Sequence, residues 1–282
     1  MKHNFSAKDR NDINYQEIKT WQKILQLQKL CDLSTPPKNL YFQGRWNPNI
    51  FENCVAIVGS RKMTDYGQQT IEKIIPQLIQ QGKTVVSGFM YGVDKYAHKI
   101  CIDSGGTTIA VLGWGINKKL DGEDSRLANK IINGGGILLS EWESQQPTHW
   151  TFPARNRIVA ALAQEVIVVE AVEKSGSLIT ARIASRLKRT LWAVPGPITS
   201  RTSVGTNNLI ASGKAKVWLG TFQTHPEQSN DPILQILEMQ ALTADELARK
   251  LDLPISDVGA KLSMFLLSGQ VTEKGGKYYH AS

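Results

Sequence analysis

Two cationic clusters in this chain stand next to small residues. The first, Gly59-Ser60-Arg61-Lys62, directly follows the apolar run Cys54–Val58. The second, Phe152-Pro153-Ala154-Arg155-Asn156-Arg157, directly precedes the apolar positions Ile158, Val159 and Leu162. Glycine lets backbone N–H groups approach an anion closely, and a helix that starts just after such a turn adds its dipole. Guanidinium groups hold phosphate oxygens in a fork. The chemistry that these residue types share is phosphate binding. Arginines at the start of a helix oppose its dipole, so a bound anion would explain their position; the alternative is that Arg155 and Arg157 pair with Glu141 and Glu170. Ser87-Gly88 and Ser175-Gly176-Ser177 also follow apolar runs and would add donors to the same pocket. Phe152 and Trp150 offer rings on which bases could stack.

Catalytic arrangements are sparse. Asp94 and His98 lie four apart and would share one helical face, which fits a structural Asp–His hydrogen bond better than half of a metal site or an acid/base pair. Ser175-Gly176-Ser177 is not a G-x-S-x-G elbow. Neither G-x-G-x-x-G nor the P-loop pattern occurs, so the turn at Gly59 is not a dinucleotide fingerprint. Cys31, Cys54 and Cys101 are too scattered for a zinc site or a disulfide framework. The expectation is binding without catalysis, with no metal, no cofactor and no small-molecule substrate.

The elements that would position these residues alternate. Short apolar runs at Cys54–Val58, Thr84–Val86, Thr107–Leu112, Gly136–Leu139, Glu165–Val169, Thr190–Val194 and Ala215–Trp218 read as strands buried on both faces. Helical patterns separate them at Tyr66–Gln81, Val93–Asp103, Ser125–Asn133, Arg155–Ala163, Leu178–Leu187 and Asn207–Ser212. That order predicts an α/β fold with a doubly wound, mostly parallel sheet, in which ligands bind outside the carboxyl ends of the strands. Upstream, residues 1–12 read as disordered, and 14–32 as a helix stopped by Thr35-Pro36-Pro37. Downstream, residues 223–230 read as a linker. Helical patterns at Pro232–Met239, Ala244–Leu251 and Ile255–Ser268 follow, then a hairpin from Gln270 to His280, together a small winged helix-turn-helix module. The expected divisions are therefore 1–35, 36–222, 223–230 and 231–282.

Charge separates these parts. Residues 45–224 carry 21 Lys/Arg against 13 Asp/Glu, whereas residues 225–282 carry 5 against 8. A polyanion suits the middle of the chain and not its C-terminal part. With no apolar run long enough to span a bilayer and no secretory leader at Met1–Lys19, the expected location is the cytoplasm.

The motifs also combine. Val55-Ala56-Ile57-Val58-Gly59-Ser60-Arg61, Ser87-Gly88, Gly92-Val93-Asp94 with Ala97-His98, and Thr108-Ile109-Ala110-Val111-Leu112-Gly113 come first. Ser140-Glu141, Phe152 to Arg157, Ser175-Gly176-Ser177-Leu178-Ile179-Thr180-Ala181, Ala193-Val194-Pro195-Gly196 and Gly205-x-Asn207-x-Leu209-Ile210 follow in order. In that order, from about Pro36 to Trp218, they resemble the DprA/Smf family. The resemblance implies an extended Rossmann-like fold, a homodimer, binding of single-stranded DNA without strong sequence preference, and delivery of that DNA to a RecA-type recombinase, as in natural transformation. It assigns the basic pocket to Gly59, Ser60 and Arg61 and to Arg155, Asn156 and Arg157. Lys118-Lys119-Leu120-Asp121 departs from the family's Tyr-Pro after the Leu-Gly-x-Gly turn. Two other readings compete: a nucleoside monophosphate-cleaving enzyme, whose P-G-G-x-G-T-x-x-E signature is absent, and a DNA-reading regulator, which the acidic winged module disfavours.

Overall fold

The structure is a computed structural model that describes residues 5–10, 13–220, 231–267 and 270–280. The chain divides into two compact units, Met1–Phe222 and Gln223–Ser282. The expected linker at 223–230 lies outside the described residues.

The first unit is built on a ten-stranded sheet. Seven strands run parallel: β4 (Cys54–Val58), β5 (Thr84–Ser87), β6 (Thr108–Val111), β7 (Ile137–Ser140), β8 (Glu165–Val168), β9 (Thr190–Ala193) and β10 (Lys216–Val217). Their order in the sheet is β7-β6-β5-β4-β8-β9-β10. Helices α1 (Asp65–Gln80), α2 (Val93–Asp103) and α3 (Gly122–Asn133) link the strands from β4 to β7, and α4 (Thr151–Leu162), α5 (Ser177–Arg186) and α6 (Val204–Ala211) link those from β7 to β10. Alternation along β4 sets the two layers. Val55 and Ile57 pack with Ile71, Ile74 and Leu78 of α1 and Val93 and Ala97 of α2. Ala56 and Val58 pack with Ile158, Val159 and Leu162 of α4 and Ala181 and Ala184 of α5 on the opposite face. Successive strand residues point to opposite faces, so a strand covered on both sides must be apolar throughout, as β4 is. The α/β class and the mostly parallel, Rossmann-like sheet agree with the sequence reading.

The N-terminal segment departs from that reading. Phe5–Arg10 (β1) and Ile13–Ile18 (β2) form an antiparallel pair that continues through β3 (Tyr41–Gly44) onto β7. Charged sequence is compatible with a strand at a sheet edge, where charge discourages further pairing. Instead of one α-helix over 14–32, the chain has 3₁₀ segments at Trp21–Lys23 and Leu25–Asp32. The buried residues there are Trp21, Ile24, Leu27, Leu30 and Leu33, one in every three, while Leu25 is exposed. A period of three is that of the 3₁₀ helix, whose turns repeat every three residues.

The second unit has three helices, α7 (Pro232–Met239), α8 (Ala244–Leu251) and α9 (Ile255–Leu267), and a hairpin of β11 (Val271–Lys274) and β12 (Lys277–His280). Ile233, Leu247, Val258, Leu262 and Val271 form its core. At the start of α8, the Thr243 hydroxyl accepts from the Glu246 N–H and the Glu246 carboxylate accepts from the Thr243 N–H, the capping box expected from the sequence.

Candidate functional site

From β4 the chain steps outward through β5, β6 and β7, then returns along α4 to β8, which lies on the other side of β4. The strand order therefore reverses between β4 and β8, and a doubly wound sheet opens its ligand crevice at that reversal. A cavity of about 420 Å³ lies there. Four loops feed it: Gly59 to Lys62 after β4, Gly88 to Tyr91 after β5, the start of α4, and Ser175 to Ser177 ahead of α5.

Of the residues singled out from the sequence, Gly59, Ser60, Arg61, Lys62, Gly88, Phe152, Arg155, Asn156, Ser175, Gly176 and Ser177 line this cavity, whereas Ser87 and Arg157 do not. The Ser87 hydroxyl is buried and donates to the Ile57 carbonyl at 2.6 Å, tying β5 to β4. Arg157 donates from Nη1 and Nη2 to both carboxylate oxygens of Glu141, at 2.7 and 2.6 Å, and from Nε to the Thr35 carbonyl at 2.9 Å. For Arg157 the structural alternative, pairing with Glu141, is the one observed.

Arg61 and Lys62 are exposed at the mouth, with the Arg61 guanidinium 5.2 Å above the Phe152 ring. Arg155 lies deeper and is buried. It begins the second turn of α4, because the helix starts at Thr151 rather than at Arg155 as the sequence reading had it. The proposed conflict with the helix dipole therefore does not arise, since the effect is confined to the first turn. Arg155 Nη1 donates to the Val111 carbonyl, its Nη2 stands 3.9 Å from Asp94 Oδ2, and its buried Nε has no hydrogen-bond partner among the described residues. Burial raises the Asp94 pKa, a shift that Arg155 opposes, and burial lowers the pKa of Arg155. Arg155 thus keeps its charge at the cavity wall with one long ion pair to offset it. Gly88 makes this possible: a Cβ there would fall 2.1 Å from Asp94 Oδ2 and 2.3 Å from Arg155 Nη1.

His98 is not Asp94's partner. Its Nε2–H donates to the Gly88 carbonyl at 2.5 Å, and its Nδ1 lies 2.7 Å from the Thr108 hydroxyl. Burial lowers its pKa to about 4, so the ring is neutral and structural. It supports the Gly88 loop from behind.

Glu170, just after β8, is the residue whose role sequence reasoning missed. Its carboxylate accepts from the Thr64 N–H at 3.0 Å, the Thr64 hydroxyl at 2.5 Å and the Thr202 hydroxyl at 3.2 Å. It thus sits at the N-terminus of α1, where a Rossmann fold ordinarily receives a pyrophosphate. At the head of α5 the first N–H groups are engaged within their own turn: that of Ser177 donates to the Ser175 hydroxyl at 3.3 Å, and those of Leu178 and Ile179 donate to the Ser175 and Gly176 carbonyls at 3.1 Å, while Ser175 to Ser177 line the cavity. Asn156 Nδ2 donates to the Gly176 carbonyl at 3.2 Å and fixes that loop against α4. Nothing in local composition announced Glu170, since its partners are 106 and 32 residues away. Among the described residues there is no cluster of metal-ligating side chains.

The fold and site define a class: an α/β protein with a cavity lined by cationic and small residues at the sheet's switch point, and a winged-helix unit. A family profile described as DNA recombination-mediator protein A matches residues 19–227, and one described as the DprA winged helix domain matches residues 223–277. The chain belongs to the DNA recombination-mediator protein A (DprA) family. It is 36% identical over 240 residues to Protein Smf of Synechocystis, covering 82% of this chain and 60% of that protein. It is 37% identical over 191 residues to DNA processing protein DprA of Streptococcus pneumoniae, covering 68% of this chain and 67% of that one. The Streptococcus pneumoniae structure matches with a TM-score of 0.62 and 38% identity over 67% of this chain and 66% of that one. A structure of DNA processing protein A from Helicobacter pylori, concerned with that protein's single-stranded DNA binding mode, matches with a TM-score of 0.61 and 29% identity over 77% of this chain and 91% of that one.

Proposed function

We propose that this chain is a recombination mediator that binds single-stranded DNA at the cavity between β4 and β8, acts as a homodimer, passes the strand to a RecA-type recombinase, and catalyses no reaction. The observation that carries the reading is the cavity itself. Two exposed cations, Arg61 and Lys62, and a buried and incompletely paired Arg155 converge on one space. Each of these groups favours phosphate oxygens. The Helicobacter pylori protein, described by its single-stranded DNA binding, supports DNA as the polyanion. The dimer and the recombinase rest on the family resemblance alone. The absence of chemistry rests on two groups: Asp94, in the cavity lining, has Arg155 for a partner, and His98, outside that lining, is turned to Gly88 and Thr108.

The test is a gel shift of labelled oligo-dT against a duplex of equal length, with chelator present. Preferential binding of the single strand, and its loss in Arg61→Ala/Lys62→Ala, is expected. Equal affinity of wild type and variant would remove the pocket from the reading. Release of a base or phosphate from nucleoside monophosphates would restore the enzymatic alternative.

A further inference from the structure

Two aromatic rings, one in the cavity lining and one next to lining residues in the chain, stand open to solvent. Tyr91, in the loop after β5, lines the cavity and is 67% exposed. Trp150, at the start of α4, is 57% exposed and lies between His149 and Phe152, which both line the cavity. A single exposed ring is ordinary on a protein surface. These two are held in place. Lys95 Nζ, fixed by Asp124 at 2.5 Å, lies 4.1 Å from the Tyr91 ring centroid, so one face is backed by a cation while the ring stays open to solvent. Trp142 meets Trp150 edge-to-face, with centroids 5.8 Å apart and planes at 88°. Tyr66, also exposed in this unit, differs: its hydroxyl is engaged by the Pro195 carbonyl and it does not line the cavity.

We propose that Tyr91 and Trp150 are base-stacking platforms for the strand whose phosphates occupy the cavity. This rests on the single-stranded DNA reading above and adds what happens to the bases. A flexible strand that turns its phosphates inward toward Arg61 and Arg155 turns its bases outward, onto the surface where these rings stand. Stacking needs only a π face, so it is indifferent to base identity. A cation behind the Tyr91 ring orients it at low entropic cost. In a duplex the faces of the bases are already stacked on one another, so the rings would also favour unpaired over paired DNA. The site would therefore read two properties at once, a phosphate backbone and free base faces.

The test compares oligo-dT with an abasic strand of the same length and charge, by fluorescence anisotropy. Wild type should bind oligo-dT more tightly than the abasic strand. Tyr91→Ala and Trp150→Ala should each lose about fivefold or more in affinity for oligo-dT, in line with the stacking contribution of one base, and keep wild-type affinity for the abasic strand, which also reports that the variants are folded. Tyr91→Phe and Trp150→Phe should retain binding, because the ring is what matters. Arg61→Ala/Lys62→Ala should weaken both strands alike. Alanine variants that bind oligo-dT as wild type does, or that lose both strands equally, would overturn the stacking role while leaving the pocket standing. Equal wild-type affinity for the two strands would do the same. Binding of neither strand by wild type would overturn the pocket reading and this one with it.

Discussion

Three arginines that look equivalent in the sequence have three different environments. Arg61 is exposed at the cavity mouth, Arg155 is buried in the cavity wall, and Arg157 is held by Glu141 outside it. Their substitutions should separate accordingly. Replacing Arg61 and Lys62 with alanine should lower single-stranded DNA affinity and flatten its dependence on salt, by roughly 0.7 in log–log slope for each phosphate no longer neutralised. A titration at several salt concentrations checks this. Arg157→Ala should leave that slope unchanged and lower stability, by about 3 kcal/mol or more if the Glu141 carboxylate is left unpaired, readable as a lower denaturation midpoint. His98 gives a pH signature. Its pKa of about 4 lies below the ordinary 6.5, so the unfolded chain takes up the proton first as pH falls. The stabilisation it brings is complete above about pH 6.5 and is lost on acidification toward pH 4, by about 3 kcal/mol over that window. Asp94, with its raised pKa, works in the opposite direction. The difference in stability between wild type and His98→Gln isolates the histidine and should shrink as pH falls; a difference that is flat with pH would show that the ring does not titrate as its burial requires. The clusters around Gly59 and Arg155 were legible because small and cationic residues at strand ends carry their chemistry in their types. The fate of Arg157 was not legible: its pairing with Glu141 or with a phosphate is decided by three-dimensional proximity, and the motif is the same in either case.

At the scale of elements, the central strands were readable almost to the residue. Cys54–Val58, with five consecutive buried apolar residues, can only be a strand covered on both faces. Helix α4 starts at Thr151, four residues ahead of the expected Arg155, and Pro153 falls within its first turn, where proline costs a helix no hydrogen bond that it would otherwise make. The N-terminal segment was misread in a different way. Trp21, Ile24, Leu27, Leu30 and Leu33 repeat every three residues, a spacing close enough to 3.6 to pass for an α-helix over a short window. Exposed Leu25 is where the two periods disagree. Glu170 joins α1 to the strand that flanks it, and Glu170→Ala would leave the Thr64 N–H and hydroxyl without their acceptor. A loss of about 1–3 kcal/mol is expected, with a thermal midpoint lower by some 2–4 °C for each kcal/mol in a unit of this size, measurable by circular dichroism.

For the whole molecule, the two units have separate cores, and the cations are concentrated in the first. In the second, α9 carries one cation, Lys261, and its ammonium is bound to Asp231 at 2.6 Å. A base-reading helix normally presents several Arg, Lys, Asn or Gln side chains. A chain ending at Gly220 should therefore keep single-stranded DNA affinity to within about tenfold of the full chain, or roughly 1.4 kcal/mol; a larger loss by anisotropy would assign the winged unit a direct part in DNA binding. The carboxylate of Glu170 has a last consequence at this scale. By filling the seat at the head of α1, it acts as a tethered competitor, at a local concentration that no dissolved molecule can match. Any second anion arriving there would have to displace that carboxylate from the Thr64 and Thr202 donors, so the head of α1 is closed by the chain's own hydrogen bonds.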